Sequence, residues 1–290
     1  MMRFRVLVAY ALAGMVALAH LLAAQIPADW TTSAPPFHIA GNLYYVGSRD
    51  LAAYLIVTPS GNILVNSNLA SSPAQIRHSI EQLGFHYADT KILLISHAHY
   101  DHCAGSAQVV RETHAKYEVI AEDIPVVESG GQNDFHYAHD RTMWFPPAHV
   151  DRALHDGDTV TLGGTTLTAH LTAGHTKGTT TWTLVERDRG RLLHVVIVGS
   201  PNVNPGYKLV GNAAYPRIAD DYRHEFAVLK SLPCDLFLGA HGGYFGLQEK
   251  YSRFKAGDSG AFIDPNGYKS YVAQRERAFE AELRRQERAK

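Results

Sequence analysis

The feature that most limits what this chain can fold into is the run His97-Ala98-His99-Tyr100-Asp101-His102, delivered by the apolar segment Lys91-Ile92-Leu93-Leu94-Ile95-Ser96. A short, continuous apolar run of this kind reads as a strand buried on both faces. In an extended chain residues two apart point to the same side, so His97 and His99 reach one ion together. Asp101 and His102 fall where the chain turns into the next helix, free to face a second ion. Four ligand-type side chains in six residues, placed directly after a buried strand, point to a metal centre. An isolated histidine pair in a polar loop would not.

Four ligands do not complete two sites, so further histidines are expected after other strands. Of the 17 histidines, His175 follows Leu171-Thr172-Ala173-Gly174 and His241 follows Leu236-Phe237-Leu238-Gly239-Ala240. Each lies near a glycine that lets the backbone turn sharply. The others, His136 and His139 of an aromatic loop among them, lack that placement and read as surface or packing histidines.

The rest of the chain supplies a scaffold of strands and helices. Alternation from Phe37 to Val46, then Tyr54-Leu55-Ile56-Val57 and Ile63-Leu64-Val65 around Pro59-Ser60-Gly61-Asn62, reads as an antiparallel opening. A helix follows from Pro73 to about Leu83 with Ser72 as its cap. Strands are expected at Tyr117 to Ala121 and, from Asp151 on, at Arg152-Ala153-Leu154, Thr159 to Leu162, Thr165 to Leu171, Thr179 to Val185 and Leu192 to Val198. Helices are expected at Gly105 to Thr113, near Ile124, and at Ala219 to Leu232, Leu247 to Lys255 and Pro265 to about Arg288. No repeat and no Pro/Gly/Ser-rich linker divides the chain, so the order predicts one α/β domain of two packed sheets with helices outside.

With 290 residues, 46% of them hydrophobic, the chain has ample material for a core, which excludes disorder and disulfide scaffolds. A formal charge of -1 supplies no basic field for a nucleic acid, and a small ligand is the expected partner. Met1-Met2-Arg3-Phe4-Arg5, the uncharged apolar run Val6 to Ala24 and the small residues Ala23-Ala24 read as a signal peptide over residues 1–24, leaving a single domain over 25–290. The alternative is an uncleaved anchor, since 19 apolar residues just span a bilayer. Cys103 and Cys234 are expected as free, buried thiols.

The His-x-His-x-Asp-His loop with two later histidines resembles the metallo-β-lactamase superfamily, from about Phe37 to the C-terminal helix. The resemblance implies an αββα sandwich of two mixed sheets with helices on both outer faces, and one or two zinc ions between the sheets. Within it the chain is most similar to the subclass B3 metallo-β-lactamases. Its Gly174-His175-Thr176-Lys177-Gly178 followed by Trp182, Asn204-Pro205-Gly206-Tyr207-Lys208-Leu209 and Leu232-Pro233-Cys234-Asp235 carry that likeness. Glyoxalase-type and ribonuclease relatives usually bridge their metals with an aspartate after the strand between the two late histidines; here that strand ends in Gly199-Ser200-Pro201.

Carried over residue by residue, the resemblance implies two zinc ions per chain, one held by His97, His99 and His175 and the other by Asp101, His102 and His241. Zinc lowers the pKa of water from 15.7 to about 7, which provides a hydroxide nucleophile at neutral pH. Asp101 is expected to orient it and carry its proton, and Tyr207 to donate to the oxyanion. Members of the subclass often hold the substrate carboxylate with two serines, at positions that here are Pro201 and Val203, so Ser200, Asn202, Asn204 and Lys208 are the candidate replacements. Phe135, Tyr137 and Trp144 of the Gly130 to Pro147 loop are candidate rim residues. Asn66 stands where the superfamily commonly has an aspartate, and Tyr268 where some relatives have a cysteine that pairs with the one of the Leu-Pro-Cys-Asp segment.

The expectation is therefore a periplasmic, monomeric zinc β-lactamase acting on cephalosporins, penicillins and carbapenems and conferring resistance, with no nucleic-acid or membrane partner after signal cleavage. The alternatives are a periplasmic hydrolase of the same fold acting on another ester, lactone or thioester, and a non-catalytic zinc-storage protein, which would fill every coordination position with protein ligands.

Overall fold

In the computed structural model, which describes residues 26–289, two mixed sheets lie face to face. The first runs in chain order through β1 (Phe37–Ala40), β2 (Leu43–Tyr45), β3 (Tyr54–Thr58), β4 (Gly61–Val65), β5 (Thr90–Leu94), β6 (Lys116–Ile120) and β7 (Arg152–Leu154). The second comprises β8 (Thr159–Leu162), β9 (Thr165–Leu171), β10 (Thr180–Asp188), β11 (Arg191–Val198) and β12 (Leu236–Gly239), in the spatial order β12-β11-β10-β9-β8. Strands β4 to β7 are mutually parallel, as are β11 and β12, and the remaining pairs are antiparallel.

The helices are α1 (Ala28–Thr31), α2 (Pro73–Gln82), α3 (Tyr100–Cys103), α4 (Ser106–Thr113), α5 (Ile124–Glu128), α6 (Ile218–Ser231), α7 (Gly242–Phe245), α8 (Leu247–Lys255) and α9 (Pro265–Arg288). The strand period of two sorts side chains between layers. Ile63, Val65 and Leu94 face the second sheet and join Trp182, Leu184, Val195 and Ile197 in one buried cluster. Leu64, Leu93 and Ile95 face outward onto Ile76 and Ile80 of α2 and Val109 of α4. On the far side Tyr222 and Phe226 of α6 and Phe279 of α9 cover β11 and β12. This is the αββα sandwich the sequence predicts.

Strand β5 stops at Leu94 although its apolar run continues, and the reason lies in the other sheet. The Ile95 carbonyl accepts the Trp182 indole N–H at 2.9 Å, and the Ser96 carbonyl accepts Thr180 N–H at 2.7 Å. The Ser96 N–H donates to Asn66 Oδ1 at 2.8 Å. The chain thus leaves its own ladder to bridge the sheets immediately before His97. Asn66 has φ 68°, a left-handed conformation that asparagine tolerates better than most side chains.

Two details differ from the sequence expectation. Ser72 is itself helical and its side chain makes no cap bond, so Pro73 alone marks the start of α2. Cys234 is half-buried, although both cysteines are free as expected. The Tyr268 hydroxyl donates to the Leu229 carbonyl at 2.6 Å. The expected signal peptide lies outside the described residues, among which no helix is long and apolar enough to cross a membrane.

Between the sheets, Glu186 of β10 reaches the turn linking β1 to β2, where Asn42 N–H donates to it at 3.4 Å. Burial pushes its carboxyl from 4.5 up to about 7, against the pull of the Asn42 N–H and with the help of Asp188. The folded chain therefore keeps a proton that the unfolded chain has lost between about pH 4.5 and 7, and stability falls as pH rises through that window. Glu186→Gln cannot ionise. It is expected to match the parent near pH 4.5 and to exceed it by on the order of 2 kcal/mol above pH 7. Urea unfolding at both pH values checks this, and equal gains at both would remove titration as the cause.

Candidate metal centre

The carboxyl ends of β4, β5 and β6 in one sheet and of β9, β11 and β12 in the other meet along one edge, the place where open sheets bearing parallel strands present their loops to ligands. His97 and His99 leave β5, and α3 carries Asp101 and His102. His175 follows β9 and His241 follows β12. One edge thus gathers six side chains from three segments.

His97, His99 and His175 place one ligand atom each within 4.8 Å of one another. His99 Nδ1 and His175 Nε2 are 3.1 Å apart. In the second set, His102 Nε2 and His241 Nε2 are 3.1 Å apart, and Asp101 Oδ2 lies 3.3 and 3.4 Å from them. His97 is also close to Asp101 and His102, so the two sets adjoin.

The tautomers show what these atoms are for. His175 Nδ1 donates to the Asn202 carbonyl at 2.8 Å, and His241 Nδ1 donates to Asp50 Oδ2 at 2.9 Å. His99 Nε2 faces Asp134 Oδ2 at 3.7 Å. The Asn202 carbonyl and Asp50 place a proton on the far nitrogen of His175 and of His241, which turns the other nitrogen toward the cluster. Lone pairs about 3 Å apart repel unless a cation lies between them, and about 3.4 Å is the ligand separation of a tetrahedral ion with bonds of about 2.1 Å. The donor set, imidazoles plus one carboxylate, suits zinc.

The electrostatics agree for His97, His175 and Asp101, while, against the pull of burial, nearby carboxylates raise His99 and His241, from which a metal would have to displace a proton. Burial and the neighbouring imidazoles hold His97 and His175 well below the usual histidine range, in the neutral form a metal needs. Burial alone would raise Asp101, but His102 and His241 outweigh it and keep the carboxyl well below its ordinary value. For His241 burial is likewise outweighed, here by Asp101 and Asp50, which lift the imidazole to about 9.

Above the clusters opens a groove of about 440 Å³. Trp30 and Tyr100, whose rings are 6.1 Å apart, line it together with Tyr137, Met143, Pro205, Asn202, Asn204 and Tyr244. No lysine or arginine is among the described residues lining it.

The structure separates the other sequence candidates. Asn202 and Asn204 line the groove, but their amides are already engaged: Asn202 Nδ2 donates to Tyr244 Oη at 2.7 Å while its Oδ1 accepts Arg275 at 3.0 Å, and Asn204 Nδ2 donates to Tyr137 Oη at 3.1 Å. Ser200 is fully buried against the Tyr244 hydroxyl at 3.0 Å, out of the groove. Lys208 is exposed and Phe135 packs between Tyr207 and Tyr215, so neither lines it. Of the aromatic loop, Tyr137 reaches the groove; Trp144 instead donates to the Ala138 carbonyl at 3.1 Å.

Tyr207, read from the sequence as an oxyanion donor, is turned away. It is buried, and its hydroxyl donates to the His175 carbonyl at 2.9 Å, so here it buttresses a ligand segment. The outer partners Asp50 and Asp134, the Trp30 wall and a brace at Asp123 were not foreseen.

Comparison with known proteins agrees with this geometry. A family model described as the metallo-beta-lactamase superfamily matches residues 49–241. The native FEZ-1 metallo-beta-lactamase from Legionella gormanii is 55% identical, with a TM-score of 0.88 over 88% of this chain and 98% of that one. GOB-18 from Elizabethkingia meningoseptica, a metallo-beta-lactamase, is 38% identical, with a TM-score of 0.85 over 90% of this chain and 96% of its own. BJP-1 of Bradyrhizobium japonicum, a subclass B3 metallo-beta-lactamase, is 37% identical, with a TM-score of 0.84 over 90% of this chain and 98% of its own.

Proposed function

The chain belongs to the metallo-β-lactamase superfamily, among proteins of the subclass B3 kind, and on that premise we propose that it is a zinc-dependent β-lactamase opening the amide ring of cephalosporins, penicillins and carbapenems. The observation that carries this reading is the pair of adjoining ligand sets at the floor of the groove, each with its lone pairs turned inward. His97, His99 and His175 would hold one zinc and Asp101, His102 and His241 the other. Three protein ligands per ion suit a catalytic site, whereas a storage site is closed.

When bound, zinc supplies Lewis acidity: it makes water nucleophilic near neutral pH and polarises a carbonyl it meets. The chain's own groups do the positioning. Asp101, anionic across the working pH range, orients the attacking water and holds its proton for the departing ring nitrogen. The apolar lining of Trp30, Tyr100, Tyr137 and Met143 packs against the flat bicyclic substrate and limits bulk water. With no lysine or arginine among the described residues lining the groove, the substrate carboxylate would be left to the bound metal and to neutral donors such as the Tyr137 hydroxyl, which accepts from Asn204 and keeps its own proton to give.

The same reading places the mature chain, monomeric and freed of residues 1–24, in the periplasm, where it would confer resistance by meeting antibiotics before their targets do. Hydrolysis of a chromogenic cephalosporin by the mature protein tests it. Rapid turnover is expected, lost on chelation and restored by zinc. No turnover by a chain holding its zinc would overturn the substrate assignment and direct attention to lactones and thioesters.

A further inference from the structure

The second ligand set is completed by a part of the chain that no ligand comes from. Helix α1 lies before the residues matched by the family model, yet its Trp30 stands over the metal centre. The Trp30 ring is 5.6 Å from that of His241 and 6.1 Å from that of Tyr100, the residue that opens α3 ahead of Asp101 and His102. The Trp30 indole N–H donates to Asp50 Oδ2 at 3.1 Å. The same oxygen accepts His241 Nδ1 at 2.9 Å, and the other carboxylate oxygen accepts Gly243 N–H at 2.9 Å.

These groups are tied into one clasp. Asp50 N–H donates to the Asp29 carbonyl at 3.1 Å, Arg49 N–H to the Thr32 carbonyl at 2.9 Å and the Ser48 hydroxyl to the Asp29 carbonyl at 3.0 Å. On its other side the loop lies antiparallel to the His241 segment: Leu51 bridges His241, and Ala52 N–H donates to the Ala240 carbonyl at 3.0 Å. The first ligand set has no such link, since the outer partners of His99 and His175 are Asp134 and Asn202.

We propose that Trp30 and Asp50 are positioning residues for the second ligand set, so that the N-terminal clasp governs how tightly the second zinc is held. The inference rests on the two-zinc reading above. A carboxylate on the far nitrogen of a ligating imidazole fixes its tautomer and ring orientation and strengthens it as a ligand, and losing such a partner costs about 10–100-fold in metal affinity. The Asp50 side chain is 26% exposed, so by itself it would swing and take water as a partner. Trp30 prevents both: its N–H pins the shared oxygen and its ring covers His241.

The test is zinc titration of the metal-free mature protein against a chromophoric chelator, repeated with cobalt(II) to follow the absorption of each site. Trp30→Ala is expected to weaken the second equivalent about tenfold and Asp50→Asn by about 10–100-fold, with the first equivalent within twofold of the parent and the second cobalt band shifted. Trp30→Phe keeps the cover but not the donor. It should fall between parent and Trp30→Ala, and it carries the test if the alanine variant does not fold. Unchanged affinity for the second equivalent, an equal weakening of both, or a parent chain that takes up a single zinc would overturn the proposal. Selective weakening in a chain that hydrolyses no β-lactam would support the clasp while removing the substrate assignment.

Discussion

If the proposed two-zinc centre is right, replacing His175 with alanine is expected to cost one of the two zinc ions and at least about a thousandfold in turnover. The thousandfold corresponds to roughly 4 kcal/mol of transition-state stabilisation, the several kcal/mol that a Lewis-acid metal provides. The loss should be local. His175 gives Nε2 to the first set, while Asp101, His102 and His241 keep every contact among themselves. Metal analysis should therefore find about one zinc where the parent holds two. A matched control is His170→Ala, since His170 lies on the same strand β9 but bonds Thr183 at 2.8 Å, away from the groove. That variant is expected to keep two zinc ions and turnover within about twofold. Full activity in His175→Ala, or an equal loss in His170→Ala, would remove His175 from the ligand set.

The two candidate ligand sets were legible because each member is a histidine or aspartate placed just past a strand, and strands are visible as apolar runs. His97 after the Lys91 to Ser96 run, His175 after Leu171 and His241 after Leu238 follow one rule, and the parallel order of the strands makes the rule work by bringing their ends to one edge. The groups that tune those ligands were not legible. Asp50 and the Asn202 carbonyl act through single bonds spanning 191 residues for His241 and 27 for His175, and no periodicity marks such a pairing. Tyr207 shows the opposite failure. The resemblance makes Tyr207 an oxyanion donor, but its burial commits the hydroxyl to a backbone carbonyl, because an unpaired buried hydroxyl is costly. Asp123 could have been found: it follows β6 as His97 follows β5, and the rule applied to histidine extends to any acidic residue at that edge.

Asp123 carries the second large prediction, this time on stability. Its carboxylate is buried and accepts three hydrogen bonds: from Ala98 N–H at 2.7 Å, from the Thr176 hydroxyl at 2.8 Å and from Gly178 N–H at 2.8 Å. Ala98 lies between His97 and His99, and Thr176 follows His175, so one side chain ties the two segments of the first ligand set to each other. Asp123→Ala leaves the Ala98 and Gly178 N–H groups buried without acceptors. The Thr176 hydroxyl still has Thr179 at 2.9 Å. Hydrogen bonds to a charged acceptor contribute about 1.5–3 kcal/mol each, and an orphaned buried donor costs about 1–3 kcal/mol, so a loss of about 4 kcal/mol or more is expected. For a domain of this size that lowers the melting temperature by about 8 °C or more. Asp123→Asn keeps one accepting oxygen but sets an NH₂ group against one of the N–H donors, and it should lose about half as much. Thermal unfolding of the metal-free proteins measures the brace without any contribution from zinc. Zinc titration of the same variants should show the first equivalent weakened more than the second, because the second set shares only the Ala98 side of the brace. A melting temperature within about 2 °C of the parent in Asp123→Ala would mean that the two ligand loops hold their places without it.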